Sequence, residues 1–247
     1  MLSTIIHRPD IKQVMLMDQR FYTIDGENLY PSVTTIISDG CPKPAQLVSW
    51  WKQLGLYADR VAKEAADKGT IIHNAIGDLI IGKELCAIDY RFDVWEHVCR
   101  FAEFCANHSP RFIHSELTQV NPELGIAGTL DMLCYINDEL WLIDTKTGSG
   151  VYDTHYIQLG AYKKMWDSDH PERIIDRIGI LHTDANTRGI DKKGKSMQGK
   201  GWKIYEPEMS AEELWDFFCD IKRMWDRLNP EYKARIISLP DTLKLTL

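Results

Sequence analysis

The sequence predicts an α/β chain, with a β-rich core over about residues 111–206, an N-terminal elaboration of short strands and helices over about 1–110, and a closing helix over 210–228. Three observations carry this. Apolar residues recur at helical spacing through 44–82 and again through 92–107. The texture then changes to three runs of strand length, 112–120, 129–136 and 140–145. A helix and further strands come next, as in chains that cover a sheet with helices. A single domain is the expectation for 247 residues.

In chain order, Gln13–Met17 and Arg20–Ile24 read as short strands, and Asp25-Gly26 supplies turn chemistry after the second. Ser32 is placed to cap a short helix. Between Pro44 and Gly82 three apolar faces are expected: Leu47, Trp50, Trp51 and Leu54; Ala62, Ala65 and Ala66; Ile72, Ile76, Leu79 and Ile80. The helix over about Phe92–Asn107 is expected to bury Trp95, Val98, Cys99, Ala102 and Cys105. Asn137-Asp138 makes a tight turn between two strands. A helix over about His155–Trp166, a strand at Arg177–His182 and another at Trp202–Tyr205 complete the core. Ser210 and Glu213 form a capping box opening the last helix, with Leu214, Phe217, Phe218, Ile221 and Trp225 turned inward.

Composition narrows the function classes. No apolar run reaches the ~18–20 residues that span a bilayer, and the N-terminus lacks the apolar core of a secretory signal. A soluble, cytoplasmic protein with no membrane partner is expected. The six cysteines are scattered without a C-x-x-C pair, so neither a disulfide framework nor an iron–sulfur cluster is expected; all six are read as small buried hydrophobes. The net charge of −7 argues against a polybasic coat. The charge is segregated, however. Residues 187–203 hold Arg188, Lys192, Lys193, Lys195, Lys200 and Lys203 against the one acid Asp191, a local +5.

The chemistry concentrates in Gly128-Thr-Leu-Asp131 and Leu142-Ile-Asp144-Thr-Lys146. The period of two puts Asp144 and Lys146 on one face of a strand, and a hairpin can bring Asp131 beside Asp144. Carboxylates at close range repel, and a divalent cation relieves the repulsion. An Asp144–Lys146 ion pair at a sheet edge, with Asp131 solvated, is the plainer alternative. His73 can add an imidazole ligand, although a histidine on an apolar face is more often a satisfied core residue. Glu116 can add a third carboxylate, and a surface strand acid is an equally ordinary reading of it. Gln158 and Tyr162 share a helix face at i and i+4. They can bind a strand or simply cap the core. Trp50 and Trp202 are candidates for stacking on bases.

The order His73, Glu116, Asp131, Asp144-x-Lys146, Gln158-x-x-x-Tyr162 resembles the RecB-like branch of the PD-(D/E)xK nuclease superfamily. Tyr30-Pro-Ser-Val-Thr-Thr-Ile-Ile followed by Leu47-x-x-Trp50 resembles phage and mitochondrial genome-maintenance exonucleases. The resemblance implies a restriction-endonuclease-like core, a mixed central sheet flanked by helices. It implies Mg²⁺ or Mn²⁺ held by Asp131, Asp144 and the carbonyl of Thr145, with His73 as a further ligand. Lys146 would orient water or stabilise the transition state, and Glu116 would position the nucleophile or bind the metal through water. Gln158 and Tyr162 would align DNA. The glycine-punctuated basic loop with Arg188, Lys192, Lys193, Lys195 and Lys200 fits beside this as a flap that grips the strand, because the chain is otherwise acidic, although a solvated hairpin excursion is the more usual fate of such a charge run. The implied activity is metal-dependent hydrolysis of DNA to 5′-phosphate and 3′-hydroxyl ends. An exonuclease acting on ends or single strands in replication, recombination or repair is expected, in the cytoplasm of a bacterial or phage-infected cell. A structure- or sequence-specific endonuclease and a non-catalytic DNA-binding protein are the alternatives. A homo-oligomer or a recombination partner is not legible in the sequence.

Overall fold

The computed structural model describes residues 10–16, 19–185, 188–190 and 196–230. The chain runs β1 (Lys12–Leu16), β2 (Gln19–Thr23), β3 (Tyr30–Pro31), α1 (Val33–Gly40), α2 (Ala45–Leu54), α3 (Ala58–Ile80) and α4 (Phe92–His108). It continues through β4 (Arg111–Asn121), β5 (Ile126–Ile136), β6 (Glu139–Lys146), α5 (Asp153–Asp169) and β7 (Arg177–His182). The short strands β8 (Arg188–Ile190), β9 (Ser196–Gln198) and β10 (Lys203–Tyr205) precede α6 (Ala211–Leu228).

The central sheet has the order β10-β7-β6-β5-β4. Only the β6–β7 pair is parallel, joined through α5; the other pairs are antiparallel. Such a crossover needs a helix to carry the chain back, whereas β4, β5 and β6 succeed one another through short turns. Asn137 and Asp138 both take left-handed backbone (φ 51° and 65°) in the β5–β6 turn, the conformation that the twist of a tight hairpin demands. α1 is capped by Ser32, whose Oγ accepts from the Thr35 amide at 2.9 Å. α6 opens on the reciprocal Ser210–Glu213 box.

Two apolar layers sandwich the sheet. On one face Val33, Ile36 and Ile37 of α1, Leu159 and Trp166 of α5 and Leu214, Phe218 and Trp225 of α6 pack on Leu130, Leu133, Leu140 and Leu142. On the other, Ile72, Ile76 and Ile80 of α3 and Phe101 and Phe104 of α4 pack on Met132, Cys134, Trp141 and Ile143. β6 lies between both layers, and its residues 140–145 are all buried. α5 and α6 touch closely, because a Cβ on Gly160 would stand 2.6 Å from that of Leu214. The N-terminal segment is tied to this core rather than appended to it. Ser32 bridges to Ala127 of β5, and α1 packs against α5 and α6.

Several expected faces differ. α4 buries Val94, His97, Val98, Phe101 and Phe104, leaving Trp95 at its margin and Cys99 exposed. The two phenylalanines bury the larger apolar area and set the helix rotation. Cys86 is exposed as well, and of the six cysteines only Cys134 is fully buried. Ala62, Ala65 and Ala66 are exposed because the first half of α3 extends past the sheet, so alanine there serves helix propensity rather than packing. Phe217 is 51% exposed, one step off the Leu214–Phe218–Ile221–Trp225 stripe of α6. Among the described residues no helix is long and apolar enough to cross a membrane.

Candidate metal centre

Three adjoining strands carry acids at one level of the sheet. Met132 pairs with Ile143, which brings the next residues along, Asp131 of β5 and Asp144 of β6, side by side. Ser115 pairs with Met132 and Leu117 with Leu130, so Glu116 of β4 flanks Asp131 on its other side. The regular alternation of side chains fails at this level. Leu130 belongs to the layer under α5, but Met132, two residues on, belongs to the layer under α3. Glu116 itself has φ 52°, an unusual conformation for a long side chain within a strand. Backbone held off the common regions in this way clusters at functional sites.

α3 lies across these strands. Gly69, His73 and Gly77 form an i, i+4, i+8 row on it. A Cβ on Gly69 would stand 3.5 Å from Thr147 Oγ1, and one on Gly77 would stand 3.8 Å from Ser115 Oγ, so the row faces the sheet. The imidazole between the two glycines reaches the acids. His73 Nδ1 is 3.6 Å from Glu116 Oε1 and 3.5 Å from Asp131 Oδ2. One ligand atom from each of His73, Glu116 and Asp131 lies within 4.8 Å of the others.

Burial opposes charge on the His73 ring, but Asp131 and Glu116, with Asp144 behind them, override it and raise the pKa to about 9. The protonated form of the ring between the two acids is thereby favoured. Burial pushes the carboxyl groups of Asp131 and Asp144 above the ordinary range, against the pull of His73 and Lys146. For Lys146 burial acts the other way, and the neighbouring Asp144 and Asp131 outweigh it, so the ammonium form is favoured. The Asp131 carboxylate also accepts from the Thr145 amide at 2.7 Å.

Asp144 lies outside the triad, with Oδ2 2.7 Å from Lys146 Nζ and Oδ1 accepting from Gln158 Nε2 at 3.3 Å. Glu116, expected as a third carboxylate that binds the metal through water or positions the nucleophile, is the acid that joins His73 and Asp131. Gln158 and Tyr162, expected to align DNA, are turned inward at 8% and 2% exposure. Gln158 holds Asp144, while the Tyr162 phenol sits against Gly128 and bonds the Thr34 side chain.

The basic segment is partly described. Arg188 opens the two-stranded β8–β9 ribbon, and Lys192, Lys193 and Lys195 lie outside the described residues. Lys200 donates to Asn107 Oδ1 at 2.7 Å and lies over the Trp202 ring. Trp202 is buried against Phe104 and His108, so it is a core residue rather than an exposed stacking platform. Trp50 is half-buried.

One imidazole nitrogen and two carboxylate oxygens make a donor set that can hold a divalent cation. Sequence reasoning missed His155, three residues ahead of Gln158 on α5; that i, i+3 spacing was its available signal. No family model matches the chain, and no curated protein sequence matches it.

Proposed function

We propose that the chain is a metal-dependent deoxyribonuclease with a restriction-endonuclease-like core, acting as an exonuclease on DNA ends or single strands. The observation that carries this reading is the meeting of His73, Glu116 and Asp131 beside the Asp144–Lys146 ion pair. The mixed sheet with helices on both faces is compatible with such a core.

His73, Glu116 and Asp131 are the residues that would hold the cation, here Mg²⁺ or Mn²⁺. When bound, such an ion supplies positive charge to phosphoryl oxygens and acidifies water. Lys146, 24% exposed at its side chain, offers a point charge to the negative charge that develops on the phosphate during in-line attack. Asp144, 3% exposed, fixes the ammonium in place and favours its charged form, and Gln158 fixes Asp144 in turn.

Digestion of end-labelled linear, circular and single-stranded DNA with each divalent cation tests this. Linear DNA should be degraded with Mg²⁺ or Mn²⁺ and spared on chelation, with circles left intact. Asp144→Ala and Lys146→Ala should each reduce cleavage at least about a hundredfold, the scale seen when a transition-state donor is removed. Cleaved circles would replace the exonuclease by an endonuclease. No cleavage with any cation would leave a non-catalytic protein.

A further inference from the structure

The exposed end of α5 holds a group to which the proposed chemistry gives no role. His155, Gln158 and Tyr162 lie at i, i+3 and i+7 and so share one side of the helix. The two inner members are spent, Gln158 on Asp144 and Tyr162 on Gly128 and Thr34. The outer one, His155, is half-buried, and Lys146, Asp144 and His182 are the charged or titratable groups acting on its ring.

The ring is fixed by the backbone before it. His155 Nδ1 accepts from the Tyr152 amide at 3.3 Å, one half of a reciprocal cap at the start of α5. A ring nitrogen that accepts carries no proton, so the proton of the neutral imidazole is on Nε2. Burial and the charge of Lys146 keep the ring neutral, with a pKa lowered to about 4. No described residue bonds Nε2. The connection between β6 and α5 is itself anchored, since His182 Nε2 lies 2.6 Å from the Gly148 carbonyl and, facing an acceptor, must be the donor. That anchor sets the first turn of α5 beside the end of β6, where Lys146 is.

We infer that His155 is a substrate-contacting residue, whose Nε2–H donates to a non-bridging oxygen of the phosphodiester that Lys146 also faces. It would complement Lys146 as a neutral, directional donor next to a point charge, at a helix N-terminus whose dipole favours an anion. This rests on the proposed phosphodiester substrate.

Two substitutions separate the donor from the cap. In His155→Asn the amide oxygen falls where Nδ1 stands, so the Tyr152 amide keeps its acceptor while the donor at Nε2 is lost. In His155→Gln an amide N–H falls near Nε2. With labelled linear DNA and Mn²⁺, H155N should lower kcat/KM about tenfold or more. Its melting temperature and Mn²⁺ affinity should match those of the wild type, and H155Q should recover most of the loss. Nitrogen NMR of the wild-type ring should report the Nε2–H form. Undiminished kcat/KM in H155N, or a proton on Nδ1, would overturn the inference and leave the nuclease reading standing. A wild-type protein that cleaves nothing overturns both.

Discussion

The phenol of Tyr162 occupies the space that a side chain on Gly128 would need: a Cβ there would stand 2.8 Å from its hydroxyl and 2.9 Å from Cζ. α5 and β5 meet at this point, directly beside the acids. Gly128→Ala must push the ring aside and break its bond to Thr34. Overpacking of this kind costs about 1–3 kcal/mol, which for a chain of this size lowers the melting temperature by roughly 2–12 °C. Tyr162→Phe, which keeps the ring and drops the hydroxyl, should cost about 1 kcal/mol. An unshifted melting curve for G128A would refute the close packing.

The triad makes a prediction about metal alone, without turnover. Mn²⁺ at a hundredfold excess over its dissociation constant should stabilise the fold by about 2.7 kcal/mol. Glu116→Gln and Asp131→Asn should each remove that shift. Lys146→Met, which touches none of the three ligand atoms, should retain it. A thermal shift that survives in E116Q but vanishes in Asp144→Asn would return the third ligand to Asp144.

His97 predicts how stability depends on pH. It is 3% exposed, with Nδ1 2.8 Å from Thr183 Oγ1, and burial, aided by Lys68, lowers its pKa to about 4. The unfolded chain binds a proton near 6.5 and the folded chain resists it. The stability contributed by the neutral ring is therefore complete above about 6.5 and is lost as pH falls towards 4. The difference amounts to on the order of 3 kcal/mol. Thermal melts between pH 7 and 4 should show the wild type losing stability more steeply than His97→Phe. The slopes carry the test, because the variant also lacks the Thr183 bond. Equal slopes would show that His97 is no more shielded when folded than when unfolded.

Much of the core was legible because its signals are local. The strand at Arg177–His182 matches residue for residue, and the Ser210–Glu213 box and the Asn137-Asp138 turn depend on neighbours a few positions away. The face of α4 was not legible, because its rotation is decided by what Phe101 and Phe104 meet across the sheet. The convergence of His73, Glu116 and Asp131 could be anticipated from motif order, but the division of labour between Glu116 and Asp144 could not. A period of two assumes regular strands, and it cannot register a positive φ at Glu116 or a side chain drawn off by Lys146. Likewise Gln158 and Tyr162 can be read either as strand-binding groups or as polar caps on the core until α5 is placed against β5, where both are buried.

The left-handed backbone at Glu116 sets thermal endurance against chemistry at a single codon. Asparagine or glycine would relax that position by about 1 kcal/mol, and either would take away the carboxylate. A library of this chain selected only for survival on heating, with no cation present, should accumulate E116N and E116G. Its winners would melt later than the parent and would have lost one carboxylate of the cluster with His73 and Asp131.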